Sequence, residues 1–488
     1  MHKPVTWGYT LRPAPGVVTV RRLAGPGAVV DLEREHNELV TAPVGKLLFK
    51  FAIPSIVALM VHAAYNIVDR IFVGRMVGPD GLAATSVAFP PLMIQFAFII
   101  LICVGQSSIV SIRMGQKDRD GARAVFANGL WMSAVMSVLL AVAAVVFADP
   151  VLRLSGAGES ILPMARGYML VTLIGTACLA ASFTLNFHIR AAGHPKVSMV
   201  LMLVGSGFNI LLDPIFIGPL GMGVMGAAVA TVIAEGISAT VSAIWLFRHP
   251  EVPSLTRATM RPNPRLCGSM LYLGLGPFFS NIVGSVQFSI LNYQVLRFGG
   301  ELAVGITGVA FAMSSFVSLP VFGISDGMQP IAGFNHGAGN HDRVRRVVWL
   351  SVLWGTVAAC AGAVVVEVFP RPIVGLFSRD QQFVDMAVRA IRIVFITAPI
   401  LGLQALGTRY FQSVGRGGIS AFLSLSRQLI FYVPLLLLLP PMMGLDGVWW
   451  TAPAADVVST AVTAVMLVWG LRHVEPPRRQ PDMQTPRS

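Results

Sequence analysis

Residues 82–112 read LAATSVAFPPLMIQFAFIILICVGQSSIVSI, and residues 304–334, 222 positions later, read VGITGVAFAMSSFVSLPVFGISDGMQPIAGF. Each stretch is an apolar run longer than the roughly 20 residues a helix needs to cross a bilayer. The shift of 222 lays Thr85 on Thr307 and Val87-Ala88-Phe89 on Val309-Ala310-Phe311. The same shift superposes Gly105 on Gly327, Gly115 on Gly337, Asp120 on Asp342, Arg123 on Arg345, Pro150 on Pro372 and Gly193 on Gly415. One unvarying offset that keeps matching at loops and helix ends is the mark of a duplicated unit.

Working outward, apolar runs recur near 47–75, 82–112, 124–148, 161–188, 197–219, 224–247, 266–296, 302–333, 347–369, 387–413, 420–441 and 446–471. The expected fold is therefore an all-α polytopic membrane protein with twelve transmembrane helices. They form two parallel six-helix repeats, because an even number of spans per repeat makes both copies cross in the same sense. Two such lobes enclose a central cleft that rocking can open to either side, which is transporter architecture.

The expected organisation is a cytoplasmic, disordered N-terminal tail at 1–44, an N-lobe at 45–247, an inter-lobe linker at 248–265 (RHPEVPSLTRATMRPNPR), a C-lobe at 266–471 and a cytoplasmic C-terminal tail at 472–488.

Composition agrees. Hydrophobic residues make up 55% and charged residues 12%, about half the charge of a soluble domain, and mean hydropathy is +0.71. The net charge of +13 lies in short connections, where it suits lipid headgroups rather than nucleic acid. With the N-terminus cytoplasmic, 27 of the 36 Lys and Arg fall on that side, which places both termini in the cytoplasm and the protein in the plasma or inner membrane. The four cysteines stand far apart and suggest neither disulfides nor a metal site. No phosphate-binding GxxxxGK[ST] loop occurs, so energy has to come from an ion gradient rather than ATP bound by this chain.

Ion coupling needs ionisable groups inside the membrane, where each is costly. Asp69, Asp213, Glu235, Asp326 and Asp456 fall within spans, and most lie in the N-lobe. Tyr65 and Asp69, Asn209 and Asp213, and Thr231 and Glu235 are each four apart, so each pair shares a helix face. Turned inward, the three faces make one polar cluster able to take a proton or Na⁺; turned otherwise, each is an interhelical hydrogen bond. Pro54 in the first span and Pro214 beside Asp213 free backbone carbonyls and permit bending. His62 and His188 lie in spans, where a histidine either titrates or contacts substrate or, more often, is a hydrogen-bonded interhelical group, and His336 and His341 are expected in a solvated loop.

The segments AYNIVDRIFVG at 64–74, FNILLDPIFIG at 208–218 and GISDGMQPIAGFNHGAGNHDRVRR at 323–346 resemble the hallmark segments of bacterial multidrug and toxic compound extrusion (MATE) transporters, over about residues 45–470. The resemblance is to the N-lobe-coupled (DinF-like) branch. It implies a cation-coupled antiporter, not an enzyme, that exports amphipathic and often cationic organic compounds in exchange for H⁺ or Na⁺, with no cofactor. By that resemblance the coupling site comprises Asp69, Asn209, Asp213 and Thr231, which could also hold Na⁺. Glu235 and Asp326 stand as additional coupling candidates, Tyr65, Tyr168, Asn186 and Met202 as substrate-binding residues, and Pro54 as a hinge. The expected partners are small organic molecules and membrane lipids, and the expected state is a monomer. Arg70, beside Asp69, could pair with that acid or reach for headgroups. Spans 266–296 and 387–413 have no interior acid, against the pattern for C-lobe coupling. Two rival readings are a flippase or exporter of a lipid-linked or endogenous metabolite, and a membrane enzyme or scaffold.

Overall fold

The computed structural model describes residues 38–249, 252, 255, 261–375, 378 and 380–473, and among them all regular structure is helical. The N-terminal half contains α1 (Val44–Met76), α2 (Pro79–Gly115), α3 (Arg119–Leu154), α4 (Leu162–Ile174), α5 (Thr176–Ala191), α6 (Pro195–Ile217) and α7 (Val224–Arg248). The C-terminal half contains α8 (Pro264–Gly337), α9 (His341–Val368), the short α10 (Pro370–Val374), α11 (Gln381–Phe395), α12 (Ala398–Ser413), α13 (Gly417–Leu425), the π-helical α14 (Ser426–Tyr432), α15 (Val433–Met443) and α16 (Leu445–Arg472).

Nine helical stretches are long and apolar enough to span a membrane, with α13 to α15 forming one of them. The pairs α4/α5 and α11/α12 each make one further span, bent by 45° and 47°. Helix α8, at 74 residues, is far longer than one crossing. It breaks at Gly300, whose φ of 70° a side chain would oppose. The chain doubles back there: Met270 on one arm (264–299) and Phe334 on the other (301–337) both touch the last turns of α2, at Gly105 and Gly115. Counting α8 as two spans gives twelve among the described residues.

The repeat is visible in detail. Arg123 pairs with Asp120 at 3.0 Å, and their counterparts Arg345 and Asp342 pair at 3.3 Å. Gly193 and Gly415 both take positive φ, 113° and 82°, closing equivalent turns after α5 and α12. The outer face of α3 leaves Leu139, Val142, Val145, Val146 and Phe147 exposed, a lipid-facing surface.

The lobes meet chiefly through α8, which packs on α1 and α2. A Cβ on Gly115 would overlap the carbonyl oxygen of Phe334, and one on Gly337 would overlap that of Ile112. Only glycine allows so close a backbone approach. These contacts lie toward the end of the bundle where the described residues begin and finish, near Leu39 and Leu471.

Two expectations are corrected. Residues 38–43, assigned to a disordered tail, are seated on the C-terminal half. Arg343 donates to the carbonyls of Leu39 at 3.1 Å and Ala42 at 2.8 Å, and Asn335 also donates to Leu39. A guanidinium supplying several donors at once holds the carbonyls of this segment, while Leu39 and Val40 pack into the core. His336, expected in a solvated loop, is buried in the last turn of α8, because the helix runs further than hydropathy indicates. The rest of the N-terminal tail, half of the 248–265 linker and residues 474–488 lie outside the described residues.

Candidate functional site

Helices α1, α6 and α7 pack together in the N-lobe, and their polar faces meet. Asn209 donates to Thr231 at 3.0 Å and to Asp213 at 3.4 Å. Asp69 of α1 approaches the same cluster beside Asp213. Asp213 is wholly buried and Asn209 nearly so. The structure thus brings together all four residues of the expected coupling cluster.

Asp69 Oδ1, Asn209 Oδ1 and Asp213 Oδ2 are buried acceptors with no donor. Unsatisfied oxygens facing one another in a membrane interior are costly. One proton supplies the missing donor to the Asp69–Asp213 pair, and a small cation would be held by several oxygens at once. The donor set fits either ion.

Tyr65 is buried within electrostatic range of Asp69 and Glu235, and Tyr168 lies close to Asp69 and Asp213. One helical turn beyond Thr231, Glu235 lines a small adjoining cavity that also exposes His62, Asn186 and Met202. Two of the four expected substrate residues therefore line this cavity, and two flank the acid cluster. Its phenyl rings Phe183 and Phe187 were not singled out from sequence; they stand in α5 at i, i+4, a spacing as common in plain packing. Of the two roles open to His62, the structure places it on the cavity, with its ring edge-on to Tyr65 at 4.8 Å. His188 is buried against the Phe126 ring at 4.0 Å.

Asp326 is elsewhere. It accepts from Arg190 of α5 at 3.1 Å and from Arg409 of α12, in a buried triad that joins the two halves on the face of the chain ends. Asp456 likewise accepts from Arg427 at 2.8 Å, with Thr397 at 3.4 Å. The acids Asp69, Asp213 and Glu235 form no ion pair among the described residues. Arg70 does not turn to Asp69 but lies over the ring of Phe89, 5.7 Å from its centre. Uncompensated acids thus gather in the N-terminal half, while those of the C-terminal half are neutralised by arginines.

Pro54 lies within an α1 that continues unbroken through it. Its neighbours Ala52 and Ile56 press on Gly327 and Gly323 of α8, so the proline occupies the inter-lobe contact itself.

The sequence profile of the MatE family matches residues 54–215 and 278–438, once in each repeat. The chain belongs to the MatE family. Its relatives in this family are transporters, and so is this protein. It is 25% identical over 431 residues to the multidrug export protein MepA of Staphylococcus aureus, covering 88% of this chain and 95% of that one. A MATE transporter of the MOP superfamily solved in an outward-facing conformation superposes with a TM-score of 0.85 at 25% identity, over 90% of this chain and 98% of that one. A MATE structure in a bent conformation superposes equally well, at 26% identity.

Proposed function

We propose that this MatE protein is a multidrug antiporter, exporting amphipathic, often cationic, organic compounds in exchange for H⁺ or Na⁺. The observation that carries the reading is the meeting of Asp69, Asn209, Asp213 and Thr231 with three acceptor oxygens left unsatisfied. A carboxylate pair in that condition gains a great deal from an incoming cation, and its net charge, hydrogen bonding and packing all change when the cation leaves. The relatedness to MepA supports a multidrug cargo.

The bias of Lys and Arg to the face of the chain ends supports a cytoplasmic assignment for that face, in the plasma or inner membrane. The cleft then opens outward, and the closed contacts of α8 with α1 and α2 form the cytoplasmic barrier. Ion entry from outside neutralises the acid cluster, and α1 responds by bending at Pro54, where it lacks one backbone hydrogen bond. Because that segment touches Gly323 and Gly327, its bend acts directly on the lobe contact. One chain holds both lobes, so a monomer suffices.

The test is export of a fluorescent organic cation from proteoliposomes under separately imposed pH and Na⁺ gradients. Export driven by one gradient supports the reading and identifies the ion. No export under either gradient overturns it.

A further inference from the structure

Residues 38–41 form one helical turn, closed by the Ala42 amide on the Glu38 carbonyl at 2.9 Å, and Pro43 ends it before α1 begins at Val44. In a continuing helix the carbonyl of Leu39 would take its donor from residue 43, and proline has no N–H to give. The donors come instead from the turn between α8 and α9. Arg343 reaches the carbonyls of both Leu39 and Ala42, and Asn335 that of Leu39. Arg343 also donates to the Asn335 side-chain oxygen at 3.1 Å, so the two form one cradle. A guanidinium suits this place by charge as well, since the carbonyl end of a helical turn is its negative end.

The cradle belongs to the C-terminal half, yet the segment also touches the other half. The Leu39 side chain is buried in the cluster that contains Phe334 and Val344, and its Cδ1 stands 3.9 Å from where Gly193, in the turn between α5 and α6, would carry a Cβ. Two residues beyond Asn335, Gly337 makes its close approach to Ile112. Residues 38–43 therefore bridge the two halves beside the point where their backbones meet. The corresponding segment of the second repeat, 222 positions on, is fastened in the opposite sense: the Asn263 amide donates to Asn128 of α3 at 2.7 Å.

We propose that residues 38–43 are a strap across the seam between the lobes, and that Arg343 is the positioning residue that holds it there. The two attachments differ in strength. Charge-assisted hydrogen bonds to two carbonyls fix the strap to the C-terminal half, whereas apolar contact of Leu39 joins it to the Gly193 turn. When the seam parts, the strap stays on Arg343 and Leu39 leaves Gly193, uncovering apolar surface. The strap thus weights the equilibrium toward the closed seam, whichever ion or cargo the protein carries.

The experiment measures distances between spin labels in the full-length protein in nanodiscs. One pair, at Thr41 and Asp342, both exposed, reports strap to C-terminal half; a second, on the 116–118 and 338–340 connections, reports the seam. Arg343→Gln is expected to lengthen and broaden the first distance and to raise the parted fraction about tenfold, the scale of losing charge-assisted hydrogen bonds. Arg343→Lys, which keeps the charge without the fork, is expected to recover part of both. Leu39→Ala is expected to leave the first distance as it is and to raise the parted fraction about threefold, and it tests the strap even where Arg343→Gln fails to fold. A parted fraction unchanged in Leu39→Ala, or in Arg343→Gln with the strap displaced, overturns the proposal. So does a first distance unchanged in Arg343→Gln.

Discussion

Ser107 donates a hydrogen bond to Gln329 across 2.9 Å, and the two residues are 222 positions apart. They are equivalent positions of the two repeats, so each lobe meets its own counterpart, as residues beside a pseudo-two-fold axis do. The reciprocal approaches of Gly115 to Phe334 and Gly337 to Ile112 obey the same offset. The axis thus runs through this contact, to which both lobes contribute matching surfaces.

A side chain at that axis should hold the barrier open. Gly337→Ala places a methyl group against the Ile112 carbonyl, an overlap that costs about 1–3 kcal/mol if the lobes stay together. Distances between spin labels on the 116–118 and 338–340 connections are expected to lengthen, with efflux slowed. Unchanged distances would mean that the close approach is not needed for closure.

Asp69→Asn should abolish gradient-driven efflux while elution and thermal melting stay near wild type, since an amide replaces the carboxylate in shape but not in charge. Efflux within about threefold of wild type would remove Asp69 from coupling.

Asp326→Asn leaves the guanidiniums of Arg190 and Arg409 buried together without a counter-charge. Loss of one member of a buried ionic cluster costs about 3–5 kcal/mol, and here the cost falls on the arrangement in which the lobes touch. The same label pairs are expected to report a shift toward separated lobes, with the choice of driving ion unaltered. A changed ion dependence would instead bring Asp326 into the coupling mechanism.

Pro54→Ala restores a backbone donor at the point where α1 contacts Gly323 and Gly327. Turnover is expected to fall severalfold, with equilibrium cargo affinity held within about twofold. Equal losses in both would indicate a binding role.

The Arg427–Asp456 pair serves as a control in the C-terminal half. Asp456→Asn should lower stability by about 1 kcal/mol through loss of the partner of a half-buried arginine, seen in thermal melting, and leave the ion dependence of efflux as it was. An altered ion dependence would extend coupling to that half.

Much of the site could be read in the chain itself, because helical periodicity is local. Residues four apart share a face whatever surrounds them, and this marks Tyr65 with Asp69, Asn209 with Asp213, and Thr231 with Glu235. The triad of Arg190, Asp326 and Arg409 was not legible. Its members come from α5, α8 and α12, and no local rule joins positions 136 and 83 residues apart. The one available sign was that arginines near span interiors need acids, which names neither partner. His336 was misread because hydropathy falls before the helix ends.

Amino-acid order alone determined the number of membrane crossings, the duplication and the identity of the scarce intramembrane acids, because lipid imposes hydrophobic length and charge cost residue by residue. Which acids are neutralised by arginine, which stand open to an ion or to cargo, and where the lobes touch were decided only by tertiary packing. Pairing energy depends on distances between helices, and those distances are set by side chains and glycines hundreds of residues apart.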